Sequence, residues 1–167
     1  MKKFHYTNKR GFTLIELLVV IAILGLLATV SFISYRSISQ SGRDSTRKAQ
    51  LEQIRSAIEQ FRSNNINGSY PDLAELTISC SSSGAITDGT NTYLSKIPLD
   101  PSCSSYSFYY KTTTASGDVC DSSSATIPCL DYTLGSYLEN ASTSQDCTAA
   151  LECVGNCRYC LGPYGAK

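Results

Sequence analysis

Residues 12–33, FTLIELLVVIAILGLLATVSFI, form an apolar run of 22 residues with one charge, Glu16. As a helix it would measure roughly 33 Å, enough for a hydrocarbon core of about 30 Å. This segment constrains the chain most, because a helix apolar all round must be covered by lipid or by other protein. Lys2, Lys3, Lys9 and Arg10 precede it, with no acid among them. Basic residues on that side favour a cytoplasmic N-terminus, which puts the rest of the chain outside. A secretory signal peptide would have a shorter run followed by a small-residue cleavage site. Here the run passes into SFISYRSISQSGRD without one. A plain transmembrane anchor is the simplest remaining reading.

Glu16 asks for more than an anchor. A charge at the centre of a spanning helix costs about 2.5–3.5 kcal/mol on insertion scales, and less near the interface. Thr13-Leu14-Ile15-Glu16 fits S/T-x-x-E, a capping box that starts a helix. A first-turn carboxylate also suits the helix dipole. The second reading gives Glu16 a cationic partner within the membrane. A cut after Gly11 would create one, because the new Phe12 amine is positive. It would lie about one turn away in the same chain. Between chains it would set the stagger of packed helices, since an unpaired charge in lipid is penalised.

The stretch KRGFTLIELLVVIAILGLLA closely resembles the N-terminus of type IV pilins and the related pseudopilins of type II secretion. The resemblance implies a leader, residues 1–11, removed by a membrane-embedded prepilin peptidase that cuts between Gly11 and Phe12. It implies N-methylation of Phe12 by the same enzyme. It makes Glu16, fifth in the mature chain, the carboxylate that guides assembly. Many members carry a proline near the end of the apolar run, whereas Phe32-Ile33-Ser34 holds none. Any local unwinding then rests on Gly25, Thr29, Ser31 and Ser34. Gly25 and Thr29 also form a small-xxx-small pair that permits close helix contact.

Beyond the apolar run the helical pattern persists. Leu51, Ile54, Ile58 and Phe61 make one apolar stripe, extended by Ala57. Arg43, Asp44, Arg47, Lys48, Glu52, Arg55, Glu59 and Arg62 fall on the other faces, as solvated or inter-subunit rows. Asp44–Lys48 has the favourable i,i+4 order, and Lys48–Glu52 and Arg55–Glu59 the weaker reverse. Phe12 to about Asn64 reads as one helix of roughly 80 Å, ended by the Asn67-Gly68 turn.

The remainder predicts an α+β head: the long helix packed on a small antiparallel sheet, with a disulfide-rich tail. Pro71–Leu76 is a candidate short helix. Residues 79–92 and 112–128 read as polar loops. SYSFYYKT (105–112) alternates, with Tyr106, Phe108 and Tyr110 on one face. Residues 129–138 read as a second strand with Leu130, Tyr132 and Leu134 on one face. Two strands alone are marginal, so a third is expected. The domains are therefore leader 1–11, membrane or filament-core half-helix 12–34, amphipathic half-helix 35–66 and extracytoplasmic head 67–167.

Gly68-Ser-Tyr-Pro71, the Tyr93–Pro101 segment and Tyr106–Tyr109 resemble the body of major pseudopilins. Those proteins hold calcium with acidic residues in their last strand, but here Glu139 is the only acid of YTLGSYLEN. Asp88, Asp118 and Asp121 lack dense ligand spacing. No cofactor is expected, and calcium is not supported.

Eight cysteines follow the apolar run: Cys80, Cys103, Cys120, Cys129, Cys147, Cys153, Cys157 and Cys160. In an oxidising compartment they read as disulfides, each worth about 2–4 kcal/mol. Local pairs within the tail, and among the first four, are the simplest arrangement. Cys157-x-x-Cys160 lacks the spacing of a two-pair zinc ribbon. Asn67-Gly-Ser and Asn140-Ala-Ser match the N-glycosylation pattern.

His5 is the single histidine and lies in the leader, so a mature chain would have none. That excludes His-based nucleophilic catalysis and His-containing zinc sites. Beyond the leader, ten basic residues face fourteen acidic ones. This balance does not support nucleic-acid binding. The expected function is a structural subunit of a type IV pilus-like filament, alone or with other pilins. It would be processed by prepilin peptidase and assembled on an inner-membrane platform. The runner-up is a pseudopilin of type II secretion, and a non-polymerising anchored binding module comes third. The expected location is the bacterial cytoplasmic membrane, then an extracellular pilus or periplasmic pseudopilus.

Overall fold

A computed structural model describes residues 11–72, 78–79, 82–120, 127–140, 147, 151, 153 and 157–166, without the side chains of 30–34, 78–79 and 82–83. The expected helix at Pro71–Leu76, Cys80 and the leader before Gly11 thus lie largely or wholly outside the described residues. The chain divides into two compact units, Met1–Ser39 and Gln40–Lys167.

Helix α1 spans Leu14–Asn64. In the first unit every described side chain from Gly11 to Thr29 is exposed. Among the described residues no helix is long and apolar enough to cross a membrane. The described side chains of the apolar run stop at Thr29. Leu14 to Thr29 rises only about 24 Å, and residues 30–33 continue the run in sequence.

In the second unit the apolar stripe of α1 meets a sheet. Leu51, Ile54, Ala57, Ile58 and Phe61 are buried with Tyr110, Tyr132, Leu134 and Leu161 in one core. Each large aliphatic side chain so buried contributes about 1.5–3 kcal/mol. Strands β1 (Ile78–Ser79) and β2 (Ser82–Ser83) pair with each other, as do β3 (Ile86–Thr87) and β4 (Thr92–Leu94). Short ladders thus occupy the stretch expected as a polar loop. The main sheet runs β5 (Tyr109–Thr113), β6 (Asp131–Tyr137), β7 (Cys157–Gly162) and β8 (Gly165–Ala166), in that order and antiparallel throughout.

The expected alternation holds in part. Phe108, Tyr110, Tyr132 and Leu134 are buried, but Leu130 is exposed just before β6 begins. The third strand, β7, comes from the cysteine-rich tail. Cys120 pairs with Cys129, Cys147 with Cys160 and Cys153 with Cys157. Cys103 is also disulfide-bonded. A second small core forms where Leu151 packs with Cys157 and Cys160. Gly135 admits it, since a Cβ there would collide with Leu151 Cδ1.

Asp44 and Arg47 correct the reading of the charged rows, for both are buried. Arg47 Nε donates to Asp100 at 2.8 Å, and Nη1 donates to Asp44 at 2.7 Å and to Glu139 at 2.9 Å. Asp44 accepts the backbone N–H groups of Glu139 and Asn140 at 2.9 and 2.8 Å. Arg43 Nε also donates to Glu139 at 2.8 Å. The helix pairs observed are i,i+3, Asp44–Arg47 and Glu52–Arg55, rather than the expected i,i+4 set. Burial alone would lower the Arg47 pKa, but its hydrogen bonds to Asp100 and Glu139 hold it raised. The Arg43 hydrogen bond, aided by Arg47 and opposed by burial, pulls Glu139 down to about 2.

Arg47→Met leaves Asp100 buried without its counter-charge, and should cost about 3–5 kcal/mol in urea unfolding. Acid should also weaken the head through Glu139. Its folded pKa lies below the ordinary 4.5, so its contribution is complete above that value and fades as the pH falls towards about 2. Urea midpoints measured across this window should fall less steeply in Glu139→Gln than in the parent.

Candidate functional site

The start of α1 is built by Thr13. Its hydroxyl accepts the N–H of Glu16 at 3.3 Å, while Glu16 Oε2 accepts the Thr13 N–H at 2.9 Å. The Thr13 hydroxyl donates back to the same carboxylate oxygen at 2.7 Å. The Thr13 carbonyl accepts the first helical bond, from Leu17. This is the reciprocal capping box expected from Thr-x-x-Glu, and it satisfies two otherwise orphaned backbone donors.

The box supplies hydrogen bonds but no opposite charge. Thr13 is neutral, and among the described residues no cation faces Glu16, which with Phe12, Ile15, Val19 and Val20 lines a shallow, almost wholly apolar groove. Just ahead of it the Gly11–Phe12 peptide bond is open. Gly11 is exposed, Phe12 is 85% exposed, and a Cβ built on Gly11 would meet nothing within 4 Å. No packing contact among the described residues therefore demands glycine there.

Residues 6–32 match the family model described as the prokaryotic N-terminal methylation motif. The chain carries a prepilin-type signature. This signature marks type IV pilins and pseudopilins, which are structural subunits rather than enzymes. It implies processing by prepilin peptidase and assembly with other pilins. No curated protein and no solved structure matches the chain. The prepilin-type match ends before the head begins.

In the head, the candidate oxygen donors among the described residues are otherwise engaged. Glu139 is held by Arg43 and Arg47. Asp88 accepts from the backbone of Thr90 and Asn91 and from the Tyr93 hydroxyl, closing its own turn. Asp118 takes the Ser116 hydroxyl, and Asp121 lies outside the described residues. Among the described residues no three His, Cys, Asp or Glu side chains are placed to hold a metal.

One feature of the second unit escaped the sequence reading. Gly42, Thr46, Ala49, Gln53, Ser56, Gln60 and Ser63 are all exposed on α1. They recur at alternating spacings of four and three, the period of a coiled-coil seam. Its residues carry no charge and lie between the charged rows, yet its spacing is legible in the sequence.

Thr13→Val should speed amide exchange over the first turn, Leu14–Leu17, by about fivefold, the equivalent of losing a cap worth about 1 kcal/mol. Thr13→Ser should restore the protection.

Proposed function

We propose that this chain is a structural subunit of a type IV pilus-like filament. Prepilin peptidase cuts between Gly11 and Phe12 and methylates the Phe12 amine. The precursor stands in the bacterial cytoplasmic membrane with its N-terminus inside and its head outside. Subunits then assemble on an inner-membrane platform, as copies of this chain or with other pilins.

One observation carries the reading: Glu16, capped by Thr13 and without a cationic partner among the described residues, lies beside an exposed Gly11–Phe12 bond. Cleavage there yields an amine, the cation that Glu16 lacks. A neighbour's amine would neutralise it and fix the stagger between two helices. The exposed uncharged seam from Gly42 to Ser63 supports close packing further along the helix, because small residues let helix backbones approach. The second reading, a pseudopilus of type II secretion, uses the same chemistry. The pseudopilin-like Gly68–Pro71 turn favours it, and that turn is tied into the head by Tyr70 N–H to Cys129 O at 2.9 Å and Tyr110 OH to Pro71 O at 2.7 Å.

Glu16→Gln separates the cap from the charge. Glutamine completes a capping box as glutamate does, so membrane insertion and the helix start should be retained. Filament yield in the native host should fall at least tenfold, and Glu16→Ala should behave alike. Parental yield from Glu16→Gln would leave the carboxylate as a helix cap and remove its assembly role.

A further inference from the structure

The apolar surface of α1 ends at residues that neither processing nor assembly explains. Tyr35 and Ile38 are 71% and 69% exposed. They are three residues apart and so share one helix face. The α1 backbone is helical without a break from Leu14 through both. The sequence turns polar at this point, Tyr35-Arg36-Ser37 following the apolar Val30–Ile33.

A tyrosine joins an apolar ring to a hydroxyl, and such rings concentrate where hydrocarbon meets water. The distances agree with that placement. Leu14 to Tyr35 spans about 32 Å of helix, close to a hydrocarbon core of about 30 Å. Glu16 to Tyr35 spans about 28 Å. A bilayer that holds the Tyr35 ring at its outer headgroup level therefore holds Glu16 near the inner one. The Gly11–Phe12 bond then lies beyond the inner edge of the hydrocarbon. At that depth the Glu16 charge avoids most of the penalty of the bilayer centre.

We infer that Tyr35 and Ile38 form an interfacial anchor that docks on the phospholipid headgroup layer of the outer membrane face, setting the depth of Glu16 and of the Gly11–Phe12 bond. This rests on the membrane-inserted precursor of the proposed function. Lipid is the occupant because the length of uninterrupted helix fits a bilayer, and because the exposed pair is half apolar ring and half aliphatic, with polar sequence directly beyond.

The chain contains no tryptophan, so each substitution to tryptophan makes a single reporter. Full-length Tyr35→Trp and Leu24→Trp would be placed in phosphatidylcholine–phosphatidylglycerol vesicles carrying bromines either high or low on the acyl chains. Tyr35→Trp should be quenched at least twofold more by shallow bromines than by deep ones, and Leu24→Trp the reverse. In Leu24→Trp, adding Tyr35→Ser and Ile38→Ser should erase that depth preference as the helix slides. Deep quenching of Leu24→Trp with none, or deep quenching, of Tyr35→Trp would overturn the anchor while leaving the membrane segment intact. An unchanged Leu24→Trp profile on adding the two serines would overturn the depth-setting role. Quenching of neither reporter would overturn the anchor together with the membrane-inserted precursor.

Discussion

Arg47 has no exposed side-chain surface, yet it holds carboxylates from three stretches of chain, at Asp44, Asp100 and Glu139. The packing of the head depends on this contact. Hydrophobic burial along Leu51, Ile54, Ile58 and Phe61 draws α1 to the sheet but has no direction, so by itself it tolerates rotation of the helix. A guanidinium fork does not, because its donors must meet acceptors in fixed directions. Asp44 completes the join by accepting two successive N–H groups at the end of β6. Desolvating these charges costs several kcal/mol, which the dense hydrogen bonding offsets. The gain is in geometry more than in net stability.

Glu16 poses the same physical problem and meets it differently. Its hydrogen bonds are satisfied within the first turn, but among the described residues no cation meets its charge. The head settles its buried charges internally. The described part of the N-terminal unit leaves one open, next to a peptide bond whose cleavage would supply the opposite charge. The two units of one chain thus treat ionic groups in contrasting ways, one closing a fold and the other requiring a partner.

Much of this was legible in the sequence, because the signals were local. Thr13 and Glu16 are three apart, and so are the groups they satisfy. The helix stripe follows from its period, and Tyr110, Tyr132 and Leu134 from alternation. The failures share a cause in long-range contact. Arg47 looked like one basic residue among many because Asp100 and Glu139 lie far along the chain. Strand β7, Cys157-Arg-Tyr-Cys-Leu-Gly162, buries both ends and shows no clean alternation, since disulfides and Leu151 cover its outer face. Leu130 fits the alternation but precedes the strand, and so is exposed. The pairs β1–β2 and β3–β4 are two or three residues long, too short for a period to register.

The central claim is that this chain is cut between Gly11 and Phe12 so that Glu16 gains a cationic partner. The most direct measurement is mass spectrometry of the N-terminal peptide of the protein taken from its native host. The account predicts a mature chain beginning at Phe12 and carrying one added methyl group on its amine. A chain that still retains Met1–Gly11 would contradict it, leaving Glu16 as a helix cap on a plain anchor.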